Sequence, residues 1–148
     1  MVDRSDSIMI DRPVEDVFAY VADVTNDPAW HTDILEARKT TDGPIGRGTV
    51  WHARFKPTMG ISEGDMKVVS FEPNRVLAMK GDVGPMHPTL TYRFEPAHGG
   101  TKFTRRVQIS VSSWMKVMQP MIGLMLPKQN QGFLANLKRV LEQREHGS

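Results

Sequence analysis

The chain has 148 residues, 39% of them hydrophobic and 24% charged, and no cysteine. A chain of that length suits one domain that buries roughly 68–70% of its unfolded surface, and the composition excludes a disordered or low-complexity chain. With 19 Lys and Arg against 17 Asp and Glu the net charge is +2, too weak a field to argue for a nucleic-acid partner. The missing cysteines exclude disulfides and thiolate metal sites.

The opening MVDRSDSIMIDRP is too polar for a secretory signal. No run reaches the ~18 apolar residues of a spanning helix, and the most apolar stretch, VMQPMIGLML (117–126), is interrupted by Gln119 and Pro120. A soluble, cytoplasmic protein is expected, with transient contact with a membrane surface left open. The closing EHGS, native or appended, carries no weight in this reading.

DSIMI (6–10) reads as a short strand. RPVEDVFAYVAD (12–23) reads as a helix, because Val14, Val17, Phe18 and Val21 repeat at i, i+3, i+4 and i+7. Pro13 suits its first turn, and Glu15 and Asp16 suit its positive end. The following DVTNDPAWHTDILEA (23–37) sets Trp30 and His31 behind a run of turn formers. A second short helix starting near Asn26 would carry Trp30, either plugging a cavity with His31 near the mouth or stapling the short helices to a sheet.

The period then changes to two. In TVWHARFK (49–56), Trp51, Ala53 and Phe55 share one face, while Val50, His52, Arg54 and Lys56 share the other. Strands follow at about 61–72, 75–81, 88–95 and 101–111, with EPNR and PAHGG as hairpin turns. If AHGG is the last turn, Leu90 faces Val107, Tyr92 faces Arg105 and Phe94 faces Phe103. Glu95 then meets Lys102 on the opposite face, a favourable cross-strand pair. The chain ends in helix: Met118, Met121, Ile122 and Met125 form a stripe, and Phe133, Leu137, Val140, Leu141 and Arg144 continue it. Pro127 predicts a kink or break there.

This order of elements, with RPVEDVFAYVADVTNDPAWH, GPIGRGTVW, FEPNRVLAMK and YRFEPAHGGTKFT at their places along it, resembles the START-like superfamily. Within that superfamily it is most similar to the polyketide cyclase/dehydrase and lipid-transport-like (SRPBCC) group. The resemblance covers nearly the whole chain, 1–148, as one domain. It implies an α+β helix-grip (Bet v 1-like) fold: a curved antiparallel sheet of about seven strands around a long C-terminal helix, with two short helices after the first strand and a cavity between sheet and helix. It also implies that the GPIGRGT loop lies beside the cavity mouth. Independently, a sheet with one apolar face must bury that face, and the long helix is the only element large enough to cover it.

Several motifs carry weaker chemistry. GISEG (60–64) matches G-x-S-x-G, but DMKVVSF after it reads as strand, where a nucleophile elbow needs a helix. GPIGRGT lacks the lysine of a phosphate loop and no helix follows it. Of the five histidines, His52, His98 and His146 fall on a polar face, a turn and the tail. His31 and His87 remain as pocket-edge candidates. No histidine pair has ligand spacing, so neither metal nor cofactor is expected.

Arg105 is the sharper oddity. Alternation turns its guanidinium toward the apolar face, where a lone charge is costly. It needs an internal ion pair, a route to solvent, or a ligand oxygen to hold, such as a carboxylate or an enolate. The methionines, including Met115, either fill the core or line an adaptable pocket.

The candidate lining is therefore Trp30 and His31 from the second helix, Trp51 and Phe55, Met66 and Val68, and Leu77 and Met79 from successive strands. His87, Leu90, Tyr92 and Phe94 come from the next strand, and Phe103, Arg105 and Val107 from the last. Met118, Met121, Met125, Phe133 and Leu137 come from the C-terminal helix. Binding of a hydrophobic, lipid- or polyketide-like small molecule is the first functional expectation. The alternatives are a polyketide cyclase/dehydratase-type enzyme, for which no nucleophile–base–orienter set is visible, and a regulatory module that uses 117–126 as its contact. Nothing in the sequence sets the ligand's identity, the occurrence of turnover or the oligomeric state.

Overall fold

The structure is a computed structural model that describes residues 2–58 and 60–147. The side chains of Met115, Arg144, Glu145 and His146, and all of Ser148, lie outside what is described. Seven strands form one antiparallel sheet: β1 (Val2–Ile10), β2 (Ile34–Lys39), β3 (Val50–Thr58), β4 (Ile61–Glu72), β5 (Val76–Asp82), β6 (Met86–Ala97) and β7 (Gly100–Val111). Their order across the sheet is β1-β7-β6-β5-β4-β3-β2. Between β1 and β2 lie α1 (Val14–Ala22), a 3-10 turn and α2 (Asp27–Trp30), and after β7 the chain ends in α3 (Gln119–Gly147).

The strand pairings follow from side-chain alternation and turn chemistry. Leu90 opposes Val107, Tyr92 opposes Arg105, Phe94 opposes Phe103 and Glu95 opposes Lys102, as the turn position predicts. The β6–β7 turn consists of His98 and Gly99, both at positive φ, which is the left-handed pair a two-residue hairpin of this twist requires. Asn74 takes the same conformation in the EPNR turn. Register shifts in β2, β3 and β4 mark bulges of the kind that bend a sheet around a helix.

Three elements differ from the sequence reading. β1 starts at Val2 rather than Asp6, because its half-buried residues alternate all along the β7 edge. β2 carries no strand signal in the sequence: only Ile34 and Ala37 are buried in it, and a bulge falls between them. α3 is not interrupted at Pro127, which lies inside the helix. A proline removes one backbone donor, and the remaining bonds carry the helix past it.

The core is continuous where α1, α2 and the second half of α3 meet the sheet. Phe18 packs edge-on against Phe71 and Phe94, at 5.5 and 5.0 Å between ring centres. Leu134, Leu137 and Leu141 are buried against this cluster. Polar ties fix the helix: Arg12 donates to the Leu141 carbonyl at 2.8 Å and Asn136 to the Trp30 carbonyl at 3.2 Å. No described helix is long and apolar enough to cross a membrane.

Candidate functional site

Toward the start of α3 the helix and sheet do not close on one another, and a cavity of about 370 Å³ lies between them. That falls in the range of small-molecule sites. Its wall is apolar almost throughout. Of the proposed lining, His31, Trp51, Phe55, Met66 and Leu90 reach it, as do Arg105, Val107, Met121, Met125 and Phe133. Lys56, Met121, Met125 and Gln129 are exposed and form its rim.

The other ten candidates lie off the wall. Trp30, Val68, Leu77, Met79, Tyr92 and Phe94 point inward but are buried in solid core, and so are Phe103 and Leu137. Alternation tells which face a side chain takes, not how closely the helix approaches there. His87 has the opposite parity from Leu90, so it points outward, where its Nδ1 lies 2.9 Å from the Asp82 carboxylate. Met118 is half-buried before the cavity begins. Trp30 is fully buried, edge-on to Tyr92 and Phe103. It staples α2 to the sheet and does not plug the cavity. The GPIGRGT loop is also away from the rim, since none of its residues lines this cavity.

Arg105 is the polar centre of the site. It is only 3% exposed, and its register partner on β1 is Asp6. The guanidinium nevertheless bonds neutral groups. Nη1 donates to the Asn130 side-chain oxygen, and Nη2 lies 3.0 Å from His31 Nε2. The Asn130 amide donates in turn to Asp6 at 2.7 Å and to the Arg105 carbonyl at 3.2 Å. Asp6 is already held by Arg4 at 2.7 Å, and that bond is the largest reason its carboxyl lies below its ordinary pKa. A neutral amide therefore stands between the buried cation and the Asp6 carboxylate.

Asp27, unlike the half-buried Asp6, is a buried acid. Burial drives its pKa well above the ordinary value despite the opposing Arg105 charge, which favours its neutral form. Burial, and then the Arg105 charge, hold the His31 imidazole well below its ordinary pKa. Because Arg105 can only donate, a neutral His31 must accept at Nε2 and carry its proton on Nδ1. That Nδ1, the Arg105 Nε and the Trp30 indole nitrogen have no hydrogen-bond partner among the described residues. Phe133 supports the arrangement. The His31 ring stacks on it at 4.0 Å, and the guanidinium carbon lies 5.3 Å from its centre.

Asn130, Asp27 and the cavity residues Ile34, Met86, Ile109 and Leu126 were not among the candidates. Asn130 lies in the polar run KQNQ, and its one signal is a spacing of three from Phe133, which puts both on one helix face. GISEG is a turn followed by strand: Gly60 has φ +80°, and Gly64 sits on the cavity wall. A Cβ at Gly64 would lie 2.7 Å from the Val83 side chain, so close strand packing explains that glycine. Among the described residues no group of three or more His, Asp or Glu could hold a metal ion.

A family model described as polyketide cyclase/dehydrase and lipid transport matches residues 1–142. The chain belongs to that family. The fold agrees with solved structures at low identity. The Zhui aromatase/cyclase from Streptomyces sp. R1128 superposes with TM-score 0.79 at 12% identity, covering 96% of this chain and 94% of that one. Ara h 8.0201 gives 0.72 at 12% identity, with 95% and 97% covered. TTHA0849 from Thermus thermophilus gives 0.76 at 11%, with 96% and 98% covered. At these identities the likeness shows the fold alone. No curated protein sequence matches the chain.

Proposed function

We propose that this family member binds a hydrophobic, lipid- or polyketide-like small molecule in the cavity, with an oxygen of the ligand held by Arg105. One observation carries the reading: an apolar cavity contains a buried guanidinium whose protein partners are neutral and whose Nε–H is unpartnered among the described residues. A ligand carboxylate or enolate oxygen would complete that hydrogen bonding and balance the charge.

The test is displacement of a fluorescent apolar probe by laurate and by its neutral methyl ester. Arg105→Met keeps bulk and removes charge. Laurate affinity is expected to fall about tenfold or more, the scale of a charge-assisted hydrogen bond, while the ester stays within about threefold. Equal effects on both ligands would refute the anchor. Leu90→Asp, on the wall of the cavity, should abolish probe uptake altogether.

A second reading, cyclisation or dehydration of a polyketide, is supported by Arg105 and a neutral His31 facing the same space. The guanidinium would stabilise enolate charge and the imidazole would move a proton. In that case Arg105→Met would suppress turnover of a linear polyketone more than it weakens binding.

A further inference from the structure

Trp51 belongs to two spaces at once. Its side chain is 2% exposed, yet among the described residues it is the one shared by the wall of the main cavity and that of a second hollow, of about 650 Å³, beside α1. Ala19 and Ala22 of α1 and Ile45 and Thr49 of the β2–β3 connection line this hollow, with Lys39 and Asp23 at its edge. Its surface is mainly apolar, and it accounts for the GPIGRGT loop, which borders this hollow rather than the main mouth.

The sheet order places Trp51 across from Arg105. Three strands, β6, β5 and β4, separate β7 from β3. Four spacings of about 4.8 Å make a path on the order of 19 Å along the sheet. A ligand whose polar head is held at Arg105 and whose tail crosses the concave face therefore runs toward the indole. The indole is held softly: its N–H donates to the Met79 sulfur at 3.2 Å, and a thioether is a weak acceptor on a flexible chain.

We propose that Trp51 is a partition that sets the tail length the main cavity accepts, and that the hollow beside α1 is a second compartment for the apolar tail of a longer ligand. This specificity role rests on the reading of the cavity as a ligand site with its head group at Arg105.

The experiment uses the full chain and displacement of a fluorescent apolar probe by octanoate, laurate and stearate. Trp51→Ala joins the two spaces. Stearate affinity relative to laurate is expected to rise about tenfold. Trp51→Phe opens the partition less and should move the ratio the same way by a smaller factor, which serves if the alanine variant does not fold. Ala19→Trp fills the hollow. Alone it should leave laurate binding unchanged, and combined with Trp51→Ala it should cancel the gain for stearate. A gain that survives Ala19→Trp means that the main cavity has only widened, and it overturns the second compartment. An unchanged ratio in both Trp51 variants overturns the partition and leaves Arg105-dependent binding standing. If none of the acids displaces the probe from the unmodified protein, the ligand reading fails and the partition with it.

Discussion

At the scale of single residues, Asn130 keeps a carboxylate off the buried guanidinium. It is fully buried and stands between Arg105 and Asp6. Exchanging the two groups, Asp6→Asn with Asn130→Asp, keeps the total charge and moves a carboxylate onto the guanidinium. Laurate binding is expected to weaken about tenfold in that double variant, while the methyl ester is little affected; an unchanged preference for the acid would refute the role. Asp27 and His31 give pH signatures of opposite sense. Asp27 has a raised pKa in the folded state, so the stability it contributes is present below about 3.8 and is lost as pH rises through the folded value. Asp27→Asn should therefore flatten the decline of the urea midpoint with rising pH above that point. His31 has a lowered folded pKa, so its contribution is present above its ordinary 6.5 and is lost as pH falls. His31→Gln keeps an acceptor for Arg105 and should reduce the loss of stability on acidification. Parallel curves for variant and unmodified protein would contradict either assignment.

At the scale of elements, α3 divides its labour around Pro127. Before and just after it, Met121, Met125 and Gln129 border the cavity; beyond, Leu134, Leu137 and Leu141 lock the helix to the sheet. Leu137→Ala should cost about 2–5 kcal/mol of stability, the range for a fully buried leucine. Met125→Ala, at a residue 46% exposed, should leave the urea midpoint nearly unchanged and weaken probe binding. The reverse pattern would place the cavity at the wrong end of the helix. This division also explains what could be read from sequence. The β6–β7 register follows from one turn and strict alternation, and with it the inward aim of Arg105. Which inward residues face open space depends on where the helix stands away from the sheet, and alternation carries no information about that distance. Phe94 and Phe103 thus have the same sequence signature as Leu90 and Val107 but lie in solid core. β2 was hidden by its bulge, and Asn130 by its polar neighbours.

At the scale of the whole molecule, occupancy and stability are linked. A ligand that binds only the folded protein raises its stability by about 2.7 kcal/mol at one hundred times its dissociation constant. Laurate at that excess should raise the melting temperature of the unmodified protein, and the rise should shrink in Arg105→Met; a shift of equal size in both would remove the guanidinium from the account. The sheet order has a kinetic consequence as well. β1 pairs along its whole length with β7, Val2 with Ile109 through Ile10 with Thr101, so the two partner strands are joined by all the elements between them in the chain. Closing so long a loop carries an entropic cost before any contact rewards it. Refolding should therefore be slow for this size, in the millisecond-to-second range of non-local β proteins, with β1 left as an unpaired edge until β7 reaches it.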